Sequence, residues 1–495
     1  MKKLPWVYIL LGIIFLFGMY IRLQSSLSGT FAFTYDVGRD MLQLAQIIET
    51  HKLPLIGPTT GLPGLFYGPW WYYLLLPAFI IAQGNPIGVA VFMNLVGGVA
   101  ILCAYVLGKE MENSKLGLFF AGLVAFSSAT ISASQQIWNP NIADLFVVLV
   151  LLLLILLYKK SLGYISYFFL GLLLAMTIDS EVVFGLLYTA GVILSMVLLL
   201  RKKVSRGGVL FMLLGAFIIF SPRMFFEVRH HFVMTTHIVQ MLHGSQPSGL
   251  PPVSFLHNFL QRVVIFWDSW NFALNSFWPL TVLSFIAIIM SLQQIFSIKK
   301  QTSVEFVAKL FGIVFLVFFV GVLVFQHDIF SHYLVALPVY FLLWSGLAFY
   351  LLLKRYFKGL VLSGILVLLV VILCNPVAFV QSFFAPVWVG DVSVYRNQVH
   401  AVDYIYQKAQ GKPFRYETYT PARIDYEYQY LFAWYGKDKY KYTPVGQAPL
   451  VFFIFETDEN QGGAWYWKVA REKSSRMTDR IVLPGGITVQ TREAL

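Results

Sequence analysis

The segment Phe33-Thr34-Tyr35-Asp36-Val37-Gly38-Arg39-Asp40 places two carboxylates and a guanidinium within five residues of an otherwise apolar chain. Asp36 and Asp40 are four apart, so on a helix they share a face. The residues that follow are amphipathic at helical spacing: Met41, Leu44, Ala45 and Ile48 fall on one side, and Asp40, Gln43, Gln46 and Glu49 fall elsewhere. Such a helix is expected to float on a membrane surface. A carboxylate held at that boundary could take a proton from an acceptor hydroxyl, the general-base step of a glycosyl transfer. The plainer reading of Asp36 is an N-cap for the helix, and one residue can do both.

Other polar groups recur between apolar runs. Ser132, Ser134, Gln135, Gln136, Trp138, Asn139, Asn141 and Asp144 surround one turn, and Asp179, Ser180 and Glu181 form another. Arg223, Glu227, Arg229, His230 and His231 open a longer connection, and His327, Asp328 and His332 precede a late apolar run. Loops are routinely polar because they meet water. Carboxylates beside long apolar segments, such as Asp144 and Glu227, are costly near lipid and point to a polar site at the rim. Arg223 and Arg229 could grip a phosphate, for which the guanidinium fork is well shaped, or could anchor at lipid headgroups. His327, Asp328 and His332 match no standard zinc spacing, and no metal ligand is assigned. No phosphate-binding loop, dinucleotide fingerprint, zinc-protease motif or nucleophile elbow stands in a believable place. A nucleotide-driven pump is therefore not expected.

These residues need a scaffold, and composition names its class. Of 495 residues, 58% are hydrophobic and 12% charged, with a mean hydropathy of +0.71. Soluble domains carry roughly twice that charged share. Apolar runs long enough to span a hydrocarbon core of about 30 Å fall near 4–22, 86–108, 116–134, 142–158, 162–178, 182–200, 207–222, 276–296, 304–325, 333–353 and 359–380. The first of these is expected to stay as an uncleaved helix, since no small-residue cleavage site follows it. With Lys2 and Lys3 inside, alternation puts Lys109 and Lys115, Lys159 and Lys160, Arg201 to Arg206, Lys299 and Lys300, and Lys354 to Lys358 inside too. The intervening short loops at 135–141, 179–181 and 326–331 hold no Lys or Arg. This is the positive-inside pattern, with the N-terminus cytoplasmic and the C-terminal segment extracytoplasmic. It accounts for the net charge of +12 without nucleic acid as a partner. Cys103 and Cys374 both sit in apolar runs, so no disulfide framework is expected.

Residues 69–83 are apolar but short, and counting them as a span would invert every later loop. Trp70, Trp71, Tyr72 and Tyr73 read as an interfacial anchor, so this run is expected to lie in or dip into the outer leaflet. The outer connections are then 23–85, 223–275 and the tail. Residues 1–380 form the membrane domain. The polar tail, 381–495, reads as a small α/β domain, with a helix at 391–410 and strands near 413–419 and 450–456.

On these marks the chain resembles the membrane glycosyltransferases of the GT-C superfamily, and within it the bacterial protein-mannosyltransferase and aminoarabinose-transferase group. The marks are Tyr35 to Asp40 in the loop after the first helix, Tyr67-Gly68-Pro69-Trp70-Trp71-Tyr72-Tyr73, a stack of short-looped spans, Trp138-Asn139-Pro140-Asn141, and His332-Tyr333-Leu334 with Pro338. The resemblance covers the layout of residues 1–380. It implies an all-α polytopic fold of about eleven spans plus interfacial helices. It also implies a polyprenyl-phosphate-linked sugar donor, an acceptor outside the cytoplasm and an inverting direct displacement. It makes Asp36 the expected catalytic base. Many relatives place a second acid directly after the first, whereas here Val37 follows and the second acid is Asp40, which stands as the second catalytic candidate. Arg39, Arg223, Arg229, His332, Asn139 and Glu181 are the candidate donor-phosphate and substrate-binding residues. No cofactor is assigned, although parts of the superfamily use a divalent metal. The competing readings are a transporter or flippase, which would show ionisable groups at mid-membrane and two related halves, and a glycan polymerase or ligase, which would rely on the Arg- and His-rich connection at 223–275.

Overall fold

The computed structural model describes residues 5–60, 64–160, 163–201, 203–242, 255–296, 302–324, 329, 331–375, 390–422 and 424–495. Its membrane part runs through α1 (Pro5–Ser28), α2 (Tyr35–Thr50), α3 (Trp70–Ile81), α4 (Pro86–Met111), α5 (Ser114–Phe126), α6 (Ser128–Gln135), α7 (Ala143–Lys159) and α8 (Tyr164–Ser180). It continues through α9 (Val182–Leu199), α10 (Arg206–Arg229), α11 (Val233–Leu242), α12 (Phe255–Ala273), α13 (Trp278–Phe296), α14 (Ser303–Val324), α15 (Leu337–Tyr356) and α16 (Gly359–Cys374). Among the described residues each of the eleven apolar runs contains an α-helix, and 116–134 contains two. Among the described residues, seven helices are long and apolar enough to cross a bilayer, or nine if the bent pairs α5–α6 (57°) and α12–α13 (105°) each count as one span. The difference from eleven lies in α8 and α16, apolar helices of 17 and 16 residues. At 1.5 Å per residue they reach only about 24–26 Å, short of a hydrocarbon core of about 30 Å. The run at 69–83 is the 12-residue α3.

The connection at 223–275 holds more structure than its polarity suggests. It contains the end of α10, then α11 and the 19-residue α12. Asn258, Arg262 and Asp268 interrupt the hydropathy of α12 and hide it from a search for apolar runs. In the fold Arg262 is buried and its Nε donates to the Val322 carbonyl at 3.2 Å. Trp270 stacks on Phe341 with ring centroids 4.1 Å apart.

A second ionisable residue is also deep in the bundle. Arg22 is 0% exposed. Its Nη1 donates to the Gly18 and Ala125 carbonyls at 3.1 and 2.8 Å, and its Nη2 to the Val124 carbonyl at 2.8 Å. The cation thus binds the open C-terminal carbonyls of α5, where a helix carries its partial negative charge. Asp144 of α7 lines the same small cavity as Arg22.

The tail comprises α17 (Tyr395–Ala409), β1 (Phe414–Tyr419), α18 (Tyr426–Leu431), α19 (Lys437–Tyr440), β2 (Leu450–Phe455), α20 (Gly462–Glu472), β3 (Ser475–Val482) and β4 (Thr488–Ala494). The sheet order is β1-β2-β4-β3. β1 pairs parallel to β2, and the other pairs are antiparallel. The unbroken apolar run of β2 is explained by burial on both sides. Phe452 and Ile454 face α17 and α18, while Val451, Phe453 and Phe455 pack with Ala464 and Trp467 of α20. The expected helix and two strands are present, and two further strands join them: β3, whose side chains are mostly exposed and polar, and β4, which is mostly buried.

One core joins the tail to the first loop. Val37, Met41, Leu44 and Ile47 of α2, Trp71, Tyr72, Leu75 and Phe79 of α3, and Ala401, Ile405, Phe414, Tyr428, Leu431 and Phe452 of the tail form a single buried cluster. The apolar face of α2 is therefore covered by protein. Met41 and Leu44 are 0% exposed. Only its margin, at Ile48, remains open.

Candidate active site

The first turn of α2 carries the acids. Thr34 occupies the N-cap position in an extended conformation (φ −82°, ψ 173°), and no side chain caps the helix. Asp36 thus lies inside the first turn and does not serve as the cap. A carboxylate there still gains from the helix dipole. Arg39 Nη1 donates to Asp36 Oδ1 at 2.7 Å, while its Nη2 and Nε donate to Asp40 Oδ1 at 2.9 and 3.0 Å. Trp71 Nε1 of α3 donates to Asp40 Oδ2 at 2.7 Å. The side chain of Asp36 is 30% exposed, and that of Asp40 is 1% exposed. The two acids that look alike in sequence therefore differ in access. Asp36 can meet a substrate, whereas Asp40 is enclosed by Arg39 and Trp71.

The electrostatics follow from this packing. Burial pushes the Asp40 carboxyl above its ordinary value, against the pull of Arg39 and the Trp71 indole. Burial works against the Arg39 cation, but Asp40 and Asp36 more than offset it and hold the guanidinium above its usual value. Tyr72, buried beside them, has its phenol pushed up by burial and by Asp40.

A second polar cluster stands beside the first. Tyr67 donates its hydroxyl to Glu181 Oε2 at 2.7 Å. Glu181 in turn caps α9, its Oε1 accepting from the Val183 amide at 3.3 Å. Arg223 Nη2 pairs with Asp179 Oδ1 at 2.6 Å, and its Nη1 donates to the Phe66 carbonyl at 3.4 Å. Asn139 Nδ2 donates to the Ser180 carbonyl at 2.7 Å. Gly68 is required here, because a Cβ at that position would sit 1.6 Å from Asp179 Oδ2. Tyr67 feels the field of both Glu181 and Asp36, and burial with those charges pushes its phenol up. Burial likewise raises the Glu181 carboxyl.

Of the residues singled out from sequence, Asp36, Arg39 and Asp40 form one cluster, and Arg223, Glu181 and Asn139 form its neighbour. Asn139 and Glu181 are 3% and 1% exposed and act as braces for the loops. Arg223 is committed to Asp179. Arg229 is exposed in the last turn of α10. His332 falls in a short 3-10 turn, Ser331–Leu334, but its side chain, with His327 and Asp328, lies outside the described residues. Lys2, Lys3, Lys202, Lys299 and Lys300 also lie outside them. Sequence reasoning missed Trp71 and Tyr67 as polar partners. Both were visible within the aromatic run at 67–73, but as an anchor, since a periodicity does not say where an N–H or O–H points. Among the described residues no three His, Cys, Asp or Glu side chains are grouped to hold a metal ion.

No family model and no curated protein matches the chain. Solved structures do. ArnT from Cupriavidus metallidurans in the apo state aligns with a TM-score of 0.61 at 11% identity over 97% of each chain. The same protein bound to undecaprenyl phosphate aligns at 0.59, again at 11% identity and over 97% of both chains. The fold is that of ArnT, and the alignment spans the tail as well as the bundle, so the whole layout is shared. The oligosaccharyltransferase of Archaeoglobus fulgidus tethered with an acceptor peptide aligns at 0.50 and 15% identity, over 87% of this chain and 59% of that one.

Proposed function

We propose that this GT-C-fold chain is a glycosyltransferase that moves a sugar from a polyprenyl-phosphate-linked donor to an acceptor outside the cytoplasm. The observation that carries the reading is the pair of acids in α2: one accessible carboxylate, Asp36, fixed by a guanidinium whose other side is locked to a buried carboxylate and an indole. Such a second layer fixes the direction of a reacting group. The similar fold of ArnT, solved with undecaprenyl phosphate, supports the donor class.

In the proposed reaction Asp36 takes the proton of an acceptor hydroxyl or amine. The freed lone pair attacks the anomeric carbon as the bond from that carbon to the phosphate oxygen breaks. Polyprenyl phosphate leaves with the bonding pair, and the sugar is inverted in one displacement. Arg39 keeps Asp36 oriented and Asp40 balances the charge of Arg39, so Asp40 is a positioning residue in this scheme. Arg223 and Arg229 are the candidate partners of the leaving phosphate; Arg223 would have to share itself with Asp179. The transfer chemistry belongs to residues 1–380. Loop charges favour an inner-membrane protein with a cytoplasmic N-terminus and the tail on the acceptor side.

The test is Asp36→Asn, assayed as purified protein with a polyprenyl-phosphate sugar and mass spectrometry of the product. Loss of a general base is expected to lower kcat by about 10²–10⁴-fold, with donor binding retained. Full activity of that variant would sink the assignment.

A further inference from the structure

The tail touches the first turn of α2, the turn that carries Asp36. Gly38, two residues beyond Asp36, lies against the tail backbone: a Cβ there would come within 2.3 Å of the Glu427 nitrogen and 2.4 Å of the Tyr426 carbonyl carbon. Tyr35, immediately before Asp36, stacks on Tyr426 with centroids 6.2 Å apart and planes 19° from parallel. The chain entering α2 is strapped to the tail as well. The Phe33 amide donates to the Ser393 carbonyl at 2.7 Å, and the Tyr395 and Arg396 amides donate to the Phe31 and Gly29 carbonyls at 3.1 and 3.0 Å.

Behind this contact sits a pair of carboxyls that the transfer scheme does not use. Glu427 and Glu456 are 2% and 7% exposed. Glu456 Oε1 accepts from Gln398 Nε2 at 2.9 Å and from the Tyr428 hydroxyl at 3.0 Å. Glu427 Oε2 is buried without a hydrogen-bond partner. The titratable groups that face the pair are Asp425 at the start of α18, Tyr428 within it, Tyr416 on β1 and Asp391 ahead of α17. Among the described residues no cation is one of them.

We infer that the Tyr426–Glu427 step of the tail is a positioning element for Asp36, seating the first turn of α2 while the Glu427–Glu456 pair holds a proton. Two ionised carboxylates in one buried site without a cation are costly. Burial, with the charge of Glu456, pushes Glu427 up to about 8, and burial pushes Glu456 up to about 7. Both values lie above the ordinary range of an unfolded carboxyl. The stabilisation of the folded tail that forms this seat is therefore complete below that ordinary range and is lost as pH rises through about 7 to 8. On losing its seat, α2 would keep its own helix but not the aim of Asp36.

The inference rests on Asp36 being the reacting carboxylate. The experiment uses the full chain in lipid nanodiscs with a polyprenyl-phosphate sugar. In Gly38→Ala and Tyr426→Ala, kcat is expected to fall at least about tenfold with donor KM within about twofold, since misplacement costs the reacting step. Tyr426→Phe, which keeps the stacked ring, should restore kcat. The wild type should lose kcat on the alkaline side, and Glu427→Gln, which leaves one titrating carboxyl in the site, should weaken or shift that limb while keeping the low-pH plateau. Glu456→Gln serves as the second probe of the limb should Glu427→Gln fold poorly. Wild-type kcat in Gly38→Ala and Tyr426→Ala, or an alkaline limb unmoved in both glutamine variants, overturns the inference. An inactive Asp36→Asn alongside that result would leave the transferase reading standing, whereas an active Asp36→Asn removes the transferase reading itself.

Discussion

Burial separates Asp36 from Asp40, although both are aspartates on one face of one helix. Asp40 receives three donors, two from Arg39 and one from Trp71, and has no exposed surface to offer a substrate. Asp36 receives a donor from Arg39 on Oδ1 and keeps 30% of its side chain exposed. Trp71 is then the test of the relay. Trp71→Phe keeps a ring in the buried cluster but removes the N–H that meets Asp40. A hydrogen bond to a charged group contributes about 1.5–3 kcal/mol, so thermal unfolding in detergent should show a loss of that size, and kcat should fall with donor affinity nearly unchanged. A variant with wild-type stability and kcat would mean that the indole is only packing.

At the scale of elements, α2 and α3 form a small platform whose partner is the tail. The 3.6-residue period of α2 correctly marks Met41 and Leu44 as a buried face, yet a period says only that a face is covered and not what covers it. The covering group is the tail core and α3, not lipid. The same limit explains α12, whose Arg262 and Asp268 break the hydropathy signal although Arg262 is satisfied by a carbonyl of α14. It also explains Arg22, the last residue of the apolar run at 4–22, which joins α1 to the end of α5. Arg22→Met would leave the Ala125 carbonyl without its Arg22 donor, the Val124 carbonyl with the Thr130 hydroxyl alone, and Asp144 without its counter-charge. Removing one partner of a buried charge costs about 3–5 kcal/mol, a loss that denaturant titration of the purified protein should reveal. Arg22→Met combined with Asp144→Leu should recover part of it, because no lone charge then remains.

For the molecule as a whole, the loop charges make a prediction that the fold itself does not test. In a chain without its native cysteines Cys103 and Cys374, a cysteine at Lys160 should react with a membrane-impermeant thiol reagent only after the cells are opened, and one at Ser474 should react in intact cells. The reverse pattern would place the tail in the cytoplasm and remove the acceptor side assigned to it. The sequence by itself determined the bundle. Long apolar runs must be helical in lipid because every backbone N–H and C=O has to be satisfied within the segment, and each of the eleven runs contains an α-helix among its described residues. It also determined the loop that carries Asp36, because charges in so apolar a chain stand out. Only the tertiary structure decided which acid is reachable, that Tyr67 and Gly68 bring Glu181 and Asp179 beside α2, and that Glu427 and Glu456 lie behind Gly38. These facts depend on contacts between segments as much as about 390 residues apart (Gly38 and Glu427), and local periodicity carries no record of such distances.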